Sequence, residues 1–273
     1  MAETAATRWH PPPLIRASAA LHAAGAVAIL VHPAAWIWVL SLIVANHAFL
    51  CVAVLFPRAS LLGPNLVRLP QAAVRRREVC LTFDDGPDAE VTPQVLDILD
   101  RFGAKASFFC IGRRAAAAPA LVVEIVRRGH RVENHSQAHS FAFSLFGLRR
   151  QRRDLDAAQQ ILTSLAGSAP RFFRAPAGFR NVLLDPVLAR LRLRYVSWTR
   201  RGGDGMSSDA ARVYARLTRG LAAGDILMLH DGRQQAAGAP VVLTVLPLLL
   251  ERLRAMGLES VTLYEACERA GAA

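Results

Sequence analysis

Lysine is almost missing from this sequence of 273 residues. Of its 33 basic residues only Lys105 is a lysine, and the arginines are scattered through alanine-rich and leucine-rich stretches. A net charge of +12 attracts phosphate polymers. Proteins that stack nucleic-acid bases typically have a basic stripe interleaved with aromatic residues. This sequence has no such stripe. We therefore expect no nucleic-acid partner.

Cysteines are also few, and their spacing excludes two classes of site. No two of the four have the Cys-x-x-Cys spacing of zinc knuckles or dithiol redox sites, and each lies in a mainly apolar context: Cys51, Cys80, Cys110 and Cys267. We expect buried free thiols rather than a disulfide framework.

Charged residues are rare in the first 73 residues, where uncharged apolar stretches run over 17–31 and 34–56 on either side of His32-Pro33. A helix needs roughly 20 apolar residues to cross a bilayer. The second stretch meets this length, and the first does so when its flanks are included. We predict an N-terminal transmembrane anchor over 1–56, formed by a helical hairpin of 14–32 and 34–56. A single span over 34–56 is the alternative, and a cleavable signal peptide is a further interpretation of the first stretch.

Arginines flank both apolar stretches on their outer sides. Arg8 and Arg16 precede the first, and Arg58, Arg68 and the run 75–77 follow the second, while the turn between them has no Lys or Arg. The positive-inside rule would place both flanks of a hairpin in the cytoplasm. We expect a location in the inner or plasma membrane, multi-pass rather than single-pass, with the side of the catalytic domain left open.

After a linker over 57–73, short β-rich runs alternate with helical patterns, which predicts parallel strands joined by crossover helices. Seven such strands indicate an α/β fold, either a barrel or a closed-up sheet, in one domain over 74–268. The predicted strands are 78–83, 105–111, 130–133, 171–174, 194–198, 225–229 and 260–263. The predicted helices are 92–102, 119–129, 150–166, 182–191, 208–222 and 240–256.

Five of the predicted strands end in or lead into polar residues, and in such folds the carboxyl ends of the strands carry the site. His135 and His139 with one carboxylate make a plausible facial set for Zn²⁺ or a similar divalent ion. Without a carboxylate nearby, two histidines four residues apart are more often surface residues than metal ligands. Asp84 and Asp85 point in different directions, so that one can bind metal and the other transfer protons, although Asp-Asp-Gly-Pro is also an ordinary polar turn.

His230 follows a very apolar strand, and its position at the functional end favours a general acid. The alternative is a core histidine capped by Asp231.

Five short segments, taken in their order along the chain, resemble the motifs of a known family. They are TFDDGPD (82–88), HSQAH (135–139), RAPAG (174–178), WTRRGGDG (198–205) and LMLHD (227–231). The pattern resembles that of the polysaccharide deacetylases, the NodB homology domain of carbohydrate esterase family 4, over about 75–265. The resemblance implies a deformed (β/α) barrel and a metal-dependent hydrolase that removes N-acetyl groups from amino sugars, or less often O-acetyl groups from sugars.

The resemblance also implies roles for individual residues. By position, Asp85, His135 and His139 bind a divalent metal, with Zn²⁺ as the first choice. Asp84 is the general base that takes a proton from the attacking water, and Arg174 orients it and tunes its electrostatics.

In the remaining segments, His230 protonates the leaving amine and Asp204 holds His230 in its charged form. Pro176 and Ala177 contact substrate, and a backbone N–H near Ala177 helps to stabilise the oxyanion.

Two positions depart from the family pattern. Ala177 stands where the family usually has an aromatic residue, and Gly205 where it usually has tryptophan, which indicates an altered substrate shape or altered access. The predicted function is a membrane-anchored deacetylase of amino sugars in a polysaccharide or a lipid-linked glycan, with a carbohydrate and the membrane as partners. The alternatives are a noncatalytic membrane-bound sugar-binding protein and a metal-dependent phosphoesterase.

Overall fold

The computed structural model of the chain describes residues 9–232 and 240–271. The first eight residues of the predicted anchor, including Arg8, lie outside these ranges. The strands are β1 Glu78–Asp84, β2 Ala106–Cys110, β3 Arg131–Asn134, β4 Phe172–Phe173, β5 Arg194–Tyr195, β6 Arg200–Arg201, β7 Ile226–His230 and β8 Glu259–Ser260. The helices are α1 Pro13–Val31, α2 Trp36–Val54, α3 Gln71–Arg75, α4 Val91–Arg101, α5 Gly112–Ala117, α6 Pro119–Arg127, α7 Leu148–Ala166, α8 Leu184–Leu191, α9 Ala210–Thr218, α10 Val241–Ala255 and α11 Leu263–Gly271.

The strands form one curled sheet in which every pair of neighbouring strands is parallel. Seven strands follow the order β5-β4-β3-β2-β1-β7-β6, and β8 pairs with the beginning of β1. The sheet is a half-barrel, which confirms the predicted α/β fold and its deformed (β/α) architecture. Since β1 lies in the middle, its carboxyl end is surrounded by the ends of the other strands.

Alternation along β1 separates a helix-facing side from the barrel interior. Val79, Leu81 and Phe83 belong to the large apolar cluster that the sheet forms with α4 and α10. Cys80 lies in a separate cluster inside the barrel. The same alternation places Asp84 at the inner end of the strand.

All seven predicted strands are present with shifted ends, but β6 was not predicted. It consists of two arginines without apolar alternation, and its pairing with β7 alone defines it. The predicted strand 260–263 is wrong in its second half, because Leu263 begins α11. The start of α11 is capped reciprocally: the N–H of Glu265 donates to Oγ1 of Thr262, and the N–H of Thr262 donates to Oε2 of Glu265. Helices α3 and α5 were also not predicted; with five and six residues they are too short to show periodicity.

The two apolar helices α1 and α2 pack against each other as a hairpin. Gly25 leaves space for Val39, whose Cγ1 would lie 2.6 Å from a Cβ at position 25. Asn46 donates from Nδ2 to Oγ of Ser18 at 2.8 Å. The spans Pro13–Val31 and Pro33–Val54 have mean hydropathies of 1.8 and 2.2 and are almost entirely exposed. Their length and composition suit a membrane anchor or a signal segment.

The predicted linker packs against the open side of the half-barrel. The N–H of Leu66 donates to the carbonyl oxygen of Tyr195 at 3.0 Å, and the N–H of Ser197 donates to that of Leu66 at 3.1 Å. Further along, the N–H of Leu69 donates to the carbonyl oxygen of Gly224 at 2.8 Å. The segment thus bridges the end of β5 and the residues before β7.

Arg180 binds the first half of this segment. Its guanidinium donates to the carbonyl oxygens of Ala59, Gly63 and Pro64 at 3.1, 2.6 and 2.9 Å, and the residue is only 4% exposed. Because these carbonyl groups would otherwise lose hydrogen bonds on burial, the arginine stabilises the docked segment.

Replacing Arg180 tests this docking. We expect Arg180→Ala to lower the free energy of unfolding by about 2 to 4 kcal/mol, because a charged donor is lost and buried carbonyls remain unpaired. Chemical unfolding of the full chain in detergent measures the change. Arg190→Ala, at an exposed position of α8, is the matched control and should have little effect. Equal stability of the two variants would contradict the assigned role of Arg180.

Candidate active site

A cleft of about 460 Å³ opens at the carboxyl ends of the strands. Asp84, Asp85, His135, His139 and His230 all line it, although they come from three different strand ends. A larger cavity of about 560 Å³ lies beside α8, but among the described residues it has a single carboxylate, already bonded to an indole nitrogen. The strand-end cleft is therefore where several titratable groups meet.

Arg174, just after β4, is fully buried against Asp84 at the end of β1. Its Nη1 donates to Oδ1 of Asp84 at 2.5 Å and to Oγ1 of Thr82 at 3.0 Å, and its Nη2 donates to the carbonyl oxygen of Ser197 at 2.8 Å. The guanidinium also stacks over the ring of Phe109, 4.2 Å from its centroid. Removing one partner of such a buried pair would leave an uncompensated charge, at a cost of about 3 to 5 kcal/mol.

Asp85, His135 and His139 bring three ligand atoms to one point. Oδ1 of Asp85 lies 3.3 Å from Nε2 of His135 and 3.0 Å from Nε2 of His139, and one ligand atom from each residue falls within 4.8 Å of the others. His135 donates from Nδ1 to the carbonyl oxygen of Arg174 at 2.8 Å, which leaves its Nε2 free to bind a cation.

This arrangement fits a divalent cation. Oδ1 of Asp85 is buried without a hydrogen-bond partner, which is costly unless an ion or a proton occupies the point between the three residues. One carboxylate with two imidazoles is also a common donor set for divalent transition metals. Asp85 and His139 have φ angles of 73° and 48°, a backbone conformation that costs about 1 to 3 kcal/mol per residue and that clusters at functional sites.

The electrostatics of the three ligands are tightly coupled. Burial raises the pKa of Asp85, but the nearby imidazole of His135 outweighs it and holds the pKa well below its usual range. Burial and the charge of His135 lower the pKa of His139 to about 4. Burial also lowers the pKa of His135, but the charges of Asp84 and Asp85 outweigh it and raise that pKa. Because a cation competes with protons for these atoms, binding should weaken as the pH falls.

His230 lies on the other side of Asp84 and is bonded to the buried Asp204. Its backbone N–H donates to Oδ2 of Asp204 at 2.7 Å, and its Nδ1 donates to Oδ1 at 3.0 Å. Burial lowers the pKa of His230, but the charge and hydrogen bond of Asp204 outweigh burial and raise the pKa to about 9. The imidazole is therefore charged at neutral pH.

Asp204, and not Asp231, thus caps His230. Asp231 is fully buried and accepts a hydrogen bond from Oγ1 of Thr92 at 2.7 Å. Burial raises its pKa to about 7. Its backbone N–H donates to the carbonyl oxygen of Asp84, so that it braces the end of β1.

The two positions that depart from the family pattern both line the cleft. Ala177 is exposed in a tight turn with a φ of 54°, and Pro176 is buried beside it. A Cβ at Gly205 would lie 3.3 Å from Cε1 of His230, so the glycine leaves one side of that ring uncovered.

Three arginines of the cleft wall were not predicted as site residues. Arg113 and Arg114 follow β2, and Arg201 lies in β6. The sequence held a signal for Arg113 and Arg114, because both directly follow an apolar strand. The other strands that end in polar residues all contribute to the cleft, so these two arginines could have been predicted to do the same.

Comparison with known proteins agrees with this geometry. The family model described as polysaccharide deacetylase matches residues 71–196. A peptidoglycan-N-acetylglucosamine deacetylase of Bacillus cereus is 31% identical over 192 residues, covering 68% of this chain and 86% of that protein. A chitooligosaccharide deacetylase of a Bradyrhizobium species is 33% identical over 172 residues, covering 60% of this chain and 78% of that protein.

A solved structure extends the similarity to the fold. The family 4 acetyl xylan esterase of Clostridium thermocellum, in complex with a cobalt ion, has a TM-score of 0.63 and 30% identity, covering 69% of this chain and 89% of that one. Family model, relatives and fold agree, and the chain therefore belongs to the polysaccharide deacetylase family, carbohydrate esterase family 4, hydrolases that act on carbon–nitrogen bonds of amino sugars.

Proposed function

We propose that the chain is a membrane-anchored, metal-dependent deacetylase that hydrolyses the N-acetyl groups of amino sugars. The observation that carries the proposal is the arrangement around the end of β1, where the Asp84–Arg174 pair lies between a cation-binding triad and the His230–Asp204 pair. A carboxylate, a cation site and a charged imidazole are the groups that amide hydrolysis requires.

Asp85, His135 and His139 would hold the cation, for which Zn²⁺ is the first choice because it accepts one carboxylate and two imidazoles with positions left open. When bound, the ion would polarise the acetyl carbonyl and acidify water.

Asp84 would accept the proton of the attacking water. Arg174 binds its Oδ1, and Asp84 lines the cleft, so Oδ2 would be the basic atom. The buried guanidinium compensates the negative charge of the carboxylate and fixes its orientation.

His230 would protonate the leaving amine. Since Asp204 holds Nδ1, the proton is delivered from Nε2. The backbone N–H of Ala177 is the candidate donor to the oxyanion.

The structure favours this function over the two alternatives. A phosphoesterase with two metal ions needs a second ligand cluster, and within residues 9–232 and 240–271 the triad is the one group of its kind. A pure binding protein does not need the two buried pairs beside the triad, Asp84 with Arg174 and His230 with Asp204, which require desolvating four charged groups.

We further propose that α1 and α2 span the membrane as a hairpin. Arg16 lies in the first turn of α1 and Arg58 follows α2, with no basic residue in the turn between the helices, so the positive-inside rule would put the catalytic domain on the cytoplasmic side.

Replacing a cation ligand tests the metal dependence. We expect His135→Ala and His139→Ala each to abolish the metal-dependent release of acetate from tetra-N-acetylchitotetraose and to weaken Zn²⁺ binding, measured by calorimetry. His32→Ala, in the exposed turn between α1 and α2, is the control. Melting curves show that the variants are folded, and unchanged acetate release by either folded ligand variant would overturn the proposed site.

The pH profile tests the role of His230. With its pKa raised to about 9, the proton donor is present at neutral pH and is lost as the pH rises through that value. Asp204→Asn should return the pKa toward its ordinary value of about 6.5 and move the alkaline decline of kcat down by up to about two pH units. A decline at the same pH in both proteins would contradict the assignment of His230 as the acid.

Reporter fusions test the topology. A fluorescent protein at the C-terminus should be bright, because the cytoplasmic side allows it to fold, and alkaline phosphatase at the same position should be inactive. The opposite result would place the catalytic domain outside and contradict the hairpin orientation.

A further inference from the structure

The cleft has an excess of positive charge that the proposed chemistry does not use. Asp84 is paired with Arg174 and His230 with Asp204, and a divalent ion would be compensated in part by Asp85. Arg113, Arg114 and Arg201 also line the cleft, and no carboxylate in the described part of the chain forms an ion pair with them.

The environments of these three arginines differ. Arg114 donates from Nη1 to the carbonyl oxygen of Asp85 at 2.8 Å and so supports the triad. Arg113 is exposed. Arg201 is exposed beside Trp198, with its guanidinium carbon 5.4 Å from the ring centroid. Guanidinium groups of this kind suit phosphate oxygens, whereas a neutral N-acetylated sugar offers no negative charge to them.

The rim of the same cleft is apolar and exposed to an unusual degree. Phe141 is 90% exposed and Met206 is 86% exposed, and both line the cleft. Phe141 meets the ring of His139 edge-on, with 6.2 Å between centroids, so the apolar rim begins directly beside the cation triad. Exposed large apolar side chains at a binding cleft indicate contact with an apolar ligand or a membrane.

The end of the apolar hairpin touches the wall of this cleft. A Cβ at Gly178 would meet Cβ of Pro57 at 2.9 Å and the ring of Trp198 at 2.6 Å, and both Gly178 and Trp198 line the cleft. The chain leaves α2 at Val54, only three residues before Pro57. If α2 lies in the bilayer, the cleft therefore opens close to the membrane surface.

We propose that the cleft takes an N-acetylated amino sugar that is joined through a phosphate to a membrane lipid. The sugar reaches the cation triad, the phosphate binds between Arg113 and Arg201, and the first part of the lipid chain lies along Phe141 and Met206. This inference rests on the proposed deacetylase function and specifies its substrate class. The absence of the aromatic residues at Ala177 and Gly205 agrees with it, because those side chains would cover a neutral sugar in the same space.

Three substrates separate the contributions of phosphate and lipid. The full chain, loaded with Zn²⁺ in lipid nanodiscs, is assayed for acetate release from N-acetylglucosamine phosphoryl-polyprenol, soluble N-acetylglucosamine 1-phosphate and neutral tetra-N-acetylchitotetraose. We expect kcat/KM to be highest for the lipid phosphate, with each step down the series costing about tenfold or more. A tetrasaccharide that is cleaved as well as the lipid phosphate would overturn the proposal, and equal turnover of the two phosphates would overturn its lipid part.

Arginine variants test the phosphate subsite. In Arg113→Gln/Arg201→Gln the ratio of kcat/KM for the lipid phosphate to that for the tetrasaccharide should fall about tenfold or more. Arg252→Gln, at an exposed position near the end of α10, is matched in charge change and should keep the ratio. An unchanged ratio in the double variant would overturn the subsite.

Failure of this inference is distinguishable from failure of the deacetylase function. Release of acetate from the tetrasaccharide alone would support the deacetylase and contradict the lipid-phosphate substrate. No release from any of the three would contradict both.

Discussion

The buried pair of Arg174 and Asp84 is the interaction on which the rest of the structure depends. It joins the end of β4 to the end of β1 across the interior of the half-barrel, where burial of both side chains weakens the screening of the two charges by solvent. The backbone carbonyl of Arg174 also accepts the hydrogen bond of His135. One residue therefore orients a carboxylate with its side chain and an imidazole with its main chain.

The arginine can be fully buried because each part of it is compensated. Its nitrogen atoms bond to Asp84, Thr82 and the carbonyl oxygens of Val196 and Ser197, and its flat face covers Phe109. Without these partners the cost of desolvating a guanidinium would exceed the attraction to one carboxylate. The interior of the barrel is accordingly polar at this end, and a core packed with apolar residues alone would not provide a reactive carboxylate.

The strands do not close the sheet into a full barrel, and the segment between the apolar hairpin and the domain packs on the open side. The segment from Pro57 to Leu69 bonds to the end of β5 and to the residues before β7, and Arg180 holds its carbonyl groups. A segment fixed in this way connects the apolar hairpin to the cleft at a short and defined distance. A flexible tether of equal length would allow the cleft to face in many directions.

Much of the fold and of the site could be predicted from local pattern. Apolar runs interrupted by helical periodicity indicated the α/β fold and all strands except β6. Asp85, His135 and His139 could be found because each follows an apolar run at the same edge of a parallel sheet. Residues without a local pattern were missed. Arg201 becomes part of the cleft only when β6 takes its place beside β7, and β6 is a strand only through that pairing. Arg113 was missed although its position just after the apolar β2 is a local signal.

The sequence by itself determined the strand and helix alternation, the two apolar helices, the five polar strand ends and the family. These follow from residue type and spacing, which act over a few positions along the chain. The resemblance to the family already related Arg174 to Asp84 and Asp204 to His230. Only the tertiary structure decided the buried contacts that join these pairs, the choice of Asp204 over Asp231 as the cap of His230, and the packing of the segment after α2 against the cleft wall. Such pairings join residues far apart in the chain, and their energy depends on burial and on geometry that forms only when the sheet has curled around them.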